Sequence, residues 1–273
     1  MVLNIQLLVK ACKRLGLKYS FVDENKNFLE IIKNNIPHYF IQFSTPKNNE
    51  INTKIFRDKG FTYDVLKEHV RMPKTIQYLY PEIDEKYREY LKFENIDQII
   101  SNINSEFKYP IIIKKNRGAA GNNVFISNNN SETKQYLNTI YKEEIGFDYI
   151  ALAQELINIE KEYRVLVLDN KVEFFYEKSK KGAQFNGNLS PLHWEGAEAI
   201  LIDDLNLKNR LQSFIDNITS VVDLNYGGLD IAIDVSGEFY LIEINSTPGF
   251  SYFIDDNGES RVIEFFEKVI DSL

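Results

Sequence analysis

Apolar residues along the chain alternate between helical spacing and strand spacing, the pattern of a mixed α/β protein. Over residues 4–16, Ile5, Leu8, Val9, Cys12 and Leu15 share one helical face, and Gly16 supplies the stop. Strands are expected over residues 17–22 and 38–43, and the polar run 44–49 reads as a loop, so a small α/β unit should end near residue 55. Helical spacing returns over 61–69 and stops before Met72-Pro73, because the residue before a proline is pushed out of the α region. Residues 109–114 read as a strand, followed by a glycine-bearing loop, a strand at 124–127 and a helix from an Asn-rich turn to about Tyr141. A strand at 150–157 precedes a hairpin, 162–168 with 171–176, across Asp169-Asn170. Residues 178–196 read as loop, 205–224 and 261–273 as amphipathic helices, and 79–93 shows no clear period.

The last strand pair, residues 229–244, carries the most pointed chemistry. A two-residue Ser236-Gly237 turn would pair Asp234 with Phe239, Ala232 with Leu241, and Asp230 with Glu243. Alternation then places Asn245 on the face of Glu243, with Ile231, Ile233, Ile242 and Ile244 on the opposite, buried face. Two carboxylates directly opposed repel unless a cation lies between them, and hard oxygen ligands suit magnesium, above all when phosphates complete its shell. An exposed acidic pair tolerated at a strand end is the other reading of the hairpin alone.

Composition narrows the class. The 273 residues are 44% hydrophobic and 26% charged, enough for a sizeable core. The net charge of −8, with a pI near 5.1, argues against a nucleic-acid partner. One cysteine, Cys12, excludes an intramolecular disulfide and a multi-thiolate zinc site. Charges interrupt the apolar start without a cleavage signal, and no apolar run approaches the roughly 20 residues of a membrane helix, so a cytoplasmic protein without a membrane partner is expected. His193 and Trp194 read as ordinary loop residues.

The spacing from Asp230 through Glu243 and Asn245 to Pro248-Gly249 resembles D-x(12)-E-x-N-x-x-P-G, the closing motif of the ATP-grasp superfamily, and its second half is similar to that of D-alanine:D-alanine ligases. The resemblance, which runs from about residue 58 to 250, implies two antiparallel-sheet subdomains clamping ATP: a short unit at 1–57, a central subdomain at 58–157 and a C-terminal subdomain at 158–273. It makes Asp230, Glu243 and Asn245 the ligands of magnesium, with two ions expected and manganese as a substitute. Lys59, after Asp58, and Lys114, closing Pro110-Ile-Ile-Ile-Lys, become phosphate contacts. The loop Gly118, Ala119, Ala120 and Gly121 folds over the phosphates, with Asn123 where the family usually has a second glycine. Glu155, Leu156 and Ile157 form the adenine hinge, and Glu162 takes the ribose hydroxyls. Arg164 serves phosphate or a substrate carboxylate, and Lys178 and Asn188 complete the catalytic set.

The activity the resemblance implies is ATP-dependent activation of a carboxylate as an acylphosphate, taken by an amine to give an amide, ADP and phosphate. Small carboxylate and amine substrates are the expected partners, with a homodimer as the family's common assembly. D-alanine:D-alanine ligases carry an arginine two residues before the first metal aspartate, where this chain has Gly228. That departure leaves glutamate ligases, glutathione synthetases, cyanophycin-type enzymes and peptide maturases as the nearer branches. A phosphotransferase is the second reading, and a non-catalytic ATP-binding module the third.

Overall fold

A computed structural model describes residues 1–118, 121–142 and 148–273. In chain order the elements are α1 (Leu3–Leu15), β1 (Lys18–Phe21), β2 (Phe28–Lys33), β3 (Ile36–Ile41), α2 (Glu50–Arg57), α3 (Lys59–Leu66), β4 (Thr75–Leu79), α4 (Ile96–Glu106), β5 (Ile111–Lys115), β6 (Val124–Ser127), α5 (Asn130–Lys142), β7 (Ile150–Glu155), β8 (Ile159–Leu168), β9 (Lys171–Ser179), β10 (Glu198–Leu201), α6 (Leu205–Thr219), β11 (Tyr226–Asp234), β12 (Phe239–Asn245), α7 (Ser251–Asn257) and α8 (Ser260–Asp271). The strands form three antiparallel sheets, in the orders β1-β2-β3, β4-β7-β5-β6 and β10-β9-β8-β11-β12.

Each sheet has its own reason to stand where it does. The five-stranded sheet is covered on both faces: Leu166, Leu168, Phe174 and Tyr226 at one end of one face pack against α1 and α8, while Val165, Val167, Phe175, Leu229 and Ile231 on the other face pack against α6. This alternation is what strand geometry requires of residues one apart. In the four-stranded sheet Ile111, Ile113, Ala151 and Ala153 face α4 and α5, leaving the other face to the cleft. The three-stranded sheet shares its core with α1 and α8, which ties the N-terminal unit to the C-terminal end of the chain.

Several expectations need correcting. Strand β9 runs on through Lys178 to Ser179, so Lys178 lies in a sheet and is buried rather than opening a loop. The apolar run ends at Tyr176 because the next inward-facing residue is a cation, which is admissible there because carboxylates partner it. Elements α2, β2, β4, α4 and β10 carried no reading of their own in the sequence, and all are short or mixed in polarity. Helix α6 closes at Thr219, short of residue 224.

The β11–β12 turn is longer than two residues. Asp234 accepts from the N–H groups of Ser236 (2.9 Å) and Glu238 (3.0 Å), and its own N–H donates to the Glu238 carbonyl at 3.1 Å. Gly237 sits at φ +87°, a conformation that favours glycine. Near the turn the pairs are therefore Ile233 with Phe239, Ala232 with Tyr240 and Ile231 with Leu241, one residue off the two-residue register. A bulge that leaves Ile242 unpaired restores the expected pair of Asp230 with Glu243. As a consequence Ile242 lines the cleft, and Leu241 takes a core position beside Ile231 and Leu229.

Candidate active site

One row of residues crosses four strands at the floor of a cleft of about 460 Å³ between the two larger sheets. Tyr176 on β9 is paired with Arg164 on β8, Arg164 with Asp230 on β11, and Asp230 with Glu243 on β12. Arg164 forks onto Asp230, Nε to Oδ1 at 2.5 Å and Nη2 to Oδ2 at 3.1 Å. Lys178 approaches the same Oδ2 at 2.9 Å and donates to Glu162 at 2.5 Å. Glu162, Lys178 and Asp230 are all buried. Burial would push the Asp230 carboxyl up, but the Arg164 guanidinium and the Lys178 ammonium override it and hold it below the usual range. Glu162 moves the other way: burial raises it further than Lys178 can lower it, and the neighbouring Asp230 charge adds to the rise. Asp230 thus holds the stronger claim on the shared lysine.

At the end of the row, Asn245 donates to Glu243 Oε1 at 3.0 Å, and Lys59 lies 3.4 Å from Glu243 Oε2. Lys59 also donates to the Gly118 carbonyl at 2.7 Å, so one ammonium joins the acidic end to the loop that follows β5. It is placed by Asp58, the N-cap of α3, whose side chain accepts from Phe61 N–H. The second Asp58 oxygen accepts from Asn116 at 2.8 Å, and Asn116 in turn accepts from Gly60 N–H at 2.9 Å. Asn116 is fully buried and ties the end of β5 to the start of α3. Nothing in the sequence marked it, since its partners lie 56 and 58 residues away.

Lys114 on β5 is buried and donates to Gln154 Oε1 at 2.8 Å; Gln154 is held in turn by Thr75 at 2.7 Å. Burial, with the Lys59 ammonium close by and despite the pull of Glu243, holds Lys114 down to about 7. Glu155, Leu156 and Ile157 line the cleft where β7 ends. The Glu155 N–H is already taken by the Lys74 carbonyl at 2.9 Å, so a ligand edge would meet the backbone of Leu156 and Ile157 instead. Gly118 and Gly121 are at the cleft, whereas Ala119 and Ala120 lie outside the described residues.

Asn188 is not in the cleft wall. It belongs to a strap closed at its neck by Gln184 and Glu195, and its tip rests on Gly121: a Cβ there would fall 2.1 Å from Asn188 Oδ1. Leu189, Ser190, Leu192 and His193 of the same strap do line the cleft, as does Tyr252 opposite them.

The donor set at the acidic end suits a divalent cation held jointly with phosphate. Asp230 accepts three N–H groups out of about four acceptor positions, Glu243 is half-exposed, and the Asn245 carbonyl oxygen is a third hard donor. Among the described residues no group of three His, Cys, Asp or Glu side chains could hold a metal without other ligands. Gly228 has a steric meaning here: a Cβ at that position would come within 3.0 Å of Pro248 and 3.1 Å of Arg164 Cδ. The space an arginine at 228 would need is filled by the arginine that arrives from β8.

Two antiparallel sheets closing on a cleft lined by Lys59, Lys114, Arg164 and Lys178, with carboxylates at one end, define an ATP-grasp protein. The chain belongs to the RimK-like ATP-grasp domain family, whose model matches residues 82–270. It is 23% identical over 175 residues to the coenzyme gamma-F420-2:alpha-L-glutamate ligase of Methanocaldococcus jannaschii, a match covering 63% of this chain and 56% of that enzyme. A bifunctional glutathione synthetase from Pasteurella multocida shares the fold with a TM-score of 0.60 and 15% identity, over 100% of this chain and 44% of that one. A RiPP-associated ATP-grasp ligase from Chryseobacterium gregarium, solved with ADP and a leader and core peptide, gives 0.58 and 12% over 98% and 93%. The chain spans 47% to 64% of the curated relatives it matches. No helix among the described residues is long and apolar enough to cross a membrane.

Proposed function

We propose that the protein is an ATP- and magnesium-dependent ligase that activates a substrate carboxylate as an acylphosphate and joins it to an amine, releasing ADP. The observation that carries this reading is the union in one cleft of four cations, Lys59, Lys114, Arg164 and Lys178, with the Asp230–Glu243–Asn245 end. Phosphoryl transfer needs little else from a protein than positioning and fixed positive charge in a dry site. Leu156 and Ile157 hold the base, Glu162 the ribose, and Lys59 and Lys114 the phosphates, with Gly118 and Gly121 lending backbone N–H groups. Asp230, Glu243 and Asn245 would hold magnesium, which would neutralise charge on the terminal phosphates. Arg164 and Lys178, fixed at the carboxylates, orient the substrate acid and balance the charge that develops as it attacks.

The glutamate ligase named among the relatives makes amino acids or short peptides the first substrates to try, as carboxylate and as amine. Gly228 supports the same direction, since the volume used by the D-alanine-type arginine is closed. The test is magnesium-dependent ADP release screened over amino acids, glutamyl peptides and small carboxylates, with product masses determined. Asp230→Asn combined with Glu243→Gln is expected to lower turnover by at least a thousandfold while nucleotide-free protein stays folded. Undiminished turnover in that variant would overturn the assignment.

A further inference from the structure

His193 is a titratable group at the cleft that the ligase reading leaves without a task, and it is the imidazole among the described lining residues. It comes from the strap, while Tyr252 comes from α7, just beyond the Pro248-Gly249 turn that follows Asn245. Neither belongs to the hinge or the phosphate loop. The Tyr252 hydroxyl and His193 Nδ1 are 2.8 Å apart, and the two rings meet edge to face at 5.1 Å. The strap is held so that the imidazole stays there: Asn186 donates to the His193 carbonyl at 2.8 Å, and Trp194 Nε1 donates to the Asn188 carbonyl at 2.5 Å. With Nδ1 committed to Tyr252, Nε2 is the ring nitrogen left for a ligand.

The chemistry of amide formation creates a need at this place. An amine substrate arrives as an ammonium at neutral pH and has no lone pair until it loses a proton. The acids on the cleft floor are poor recipients, because Asp230 and Glu162 are tied to Arg164 and Lys178 and Glu243 to Asn245 and Lys59. We propose that His193 is the base that takes this proton at Nε2, with Tyr252 accepting from Nδ1–H and so fixing the ring and its tautomer. The proposal rests on the ligase reading.

The step balances as follows. The ammonium passes one proton to Nε2, and the freed nitrogen lone pair forms the C–N bond at the acyl carbon. The C–O bond to phosphate breaks, and phosphate leaves with the electron pair and the second nitrogen proton. The imidazolium then returns its proton to solvent. The groups facing His193 are the Lys178 ammonium from β9 and the Tyr252 phenol from α7. Partial burial, reinforced by Lys178, holds the imidazole below its ordinary value, which keeps it in the basic form at neutral pH. General bases of this kind contribute about 10²–10⁴ in rate.

The experiment compares two nucleophiles with one acylphosphate. L-Glutamate and glutamyl peptides serve as carboxylates with ATP and magnesium. Hydroxylamine, uncharged at neutral pH, gives a hydroxamate without needing a base, while the ammonium groups of the amino acids give amides. His193→Gln is expected to slow amide formation about a hundredfold relative to hydroxamate formation at pH 7, with the gap narrowing as pH rises and the amine loses its proton unaided. Tyr252→Phe should shift the same ratio less, and imidazole added to His193→Ala should restore amide formation. Equal loss of both products, or loss of neither, overturns the proposal and leaves the ligase reading standing. Absence of ADP in the wild type with either nucleophile overturns the ligase reading, and the His193 assignment with it.

Discussion

The two walls that meet at the cleft are built on opposite principles. On the floor, Tyr176, Arg164, Asp230 and Glu243 stand on four neighbouring strands, so the backbone ladder sets their spacing and ion pairs fill the row. On the roof, the phosphate loop and the strap are held by single side chains reaching across long stretches of sequence: Asn116 to Asp58, Lys59 to Gly118, Asn188 against Gly121. The floor is a site whose charges are already satisfied by one another. The roof is anchored at its base by the buried Asn116–Asp58 pair, while the Lys59 ammonium, which lines the cleft, is a contact that phosphate can compete for.

On that contrast, the buried part of the floor around Arg164, Lys178 and Asp230 should answer mutation with stability, and its partly exposed end at Glu243, like the roof, with ligand affinity. The largest effect is expected at Asp230. Replacing it by Asn leaves Arg164 and Lys178 buried with one carboxylate fewer, and breaking a buried pair this way costs about 3–5 kcal/mol. Glu243→Gln, at a half-exposed position, should leave the denaturation midpoint close to wild type although both variants lose magnesium-dependent turnover. Urea unfolding of the two apo proteins checks this; equal midpoints would erase the distinction between a pre-satisfied floor residue and a ligand-facing one. Acid should act like the Asp230 variant. The folded carboxyl sits below its unfolded value, so its contribution is complete above the unfolded value and is lost as pH falls through the folded one.

The same contrast explains what the sequence could reveal. Strand alternation fixes which residues share a face, so Asp230, Glu243 and Asn245 could be brought together from spacing alone, whereas Arg164 and Glu162 follow only from the family resemblance and share that face through the pairing of β8 with β11. The pair of Asp230 and Glu243 emerged although the turn was misjudged. Asp234 caps a three-residue loop, and the bulge at Ile242 compensates for it, so two local errors of one residue cancel at the functional end. Lys178 was legible as a cation but not as a buried one, because its partners arrive from two other strands. Asn116, Gln154, His193 and Tyr252 had no period to betray them. Their roles come from contacts across 56 to 79 residues, which no local pattern encodes.

Lys114 sits where the two walls meet, and it offers a prediction of intermediate size. Its ammonium is held down to about 7 by burial and by Lys59. Because the folded value lies below the unfolded one, the stability it withholds from the apo protein at low pH is regained as pH rises from about 7 toward 10.5. Phosphates in the cleft reverse this by favouring the charged form. Nucleotide binding at about pH 8 should therefore take up close to one proton, measured by calorimetry in buffers of different ionisation enthalpy. Lys114→Met should abolish the uptake and weaken ATP by roughly tenfold or more, as expected for losing a charge-assisted contact. Uptake that persists in the variant would assign the proton to another group.

The smallest effect belongs to the strap. Asn188 meets the loop after β5 at Gly121, which lies at φ +68° with Asn188 Oδ1 in the space of a Cβ. The Asn188 side chain also accepts from Ser190 N–H at 2.8 Å. The Asn188 N–H, however, donates to Asn186 Oδ1 at 3.0 Å, Trp194 Nε1 donates to the Asn188 carbonyl at 2.5 Å and Asn186 donates to the His193 carbonyl at 2.8 Å, so the strap keeps most of its shape without that side chain. Asn188→Ala should therefore leave the melting temperature nearly unchanged and raise the ADP dissociation rate several-fold, through loss of the packing of its carboxamide on Gly121. Gly121→Ala should act in the same direction and more strongly, because the side chain meets both an unfavourable backbone conformation and the Asn188 carboxamide. In the double variant the two effects should fail to add, since Asn188→Ala vacates the volume the new methyl needs. Strict additivity would mean that strap and loop do not touch in the nucleotide-bound protein, and that the roof is held by the ligand alone.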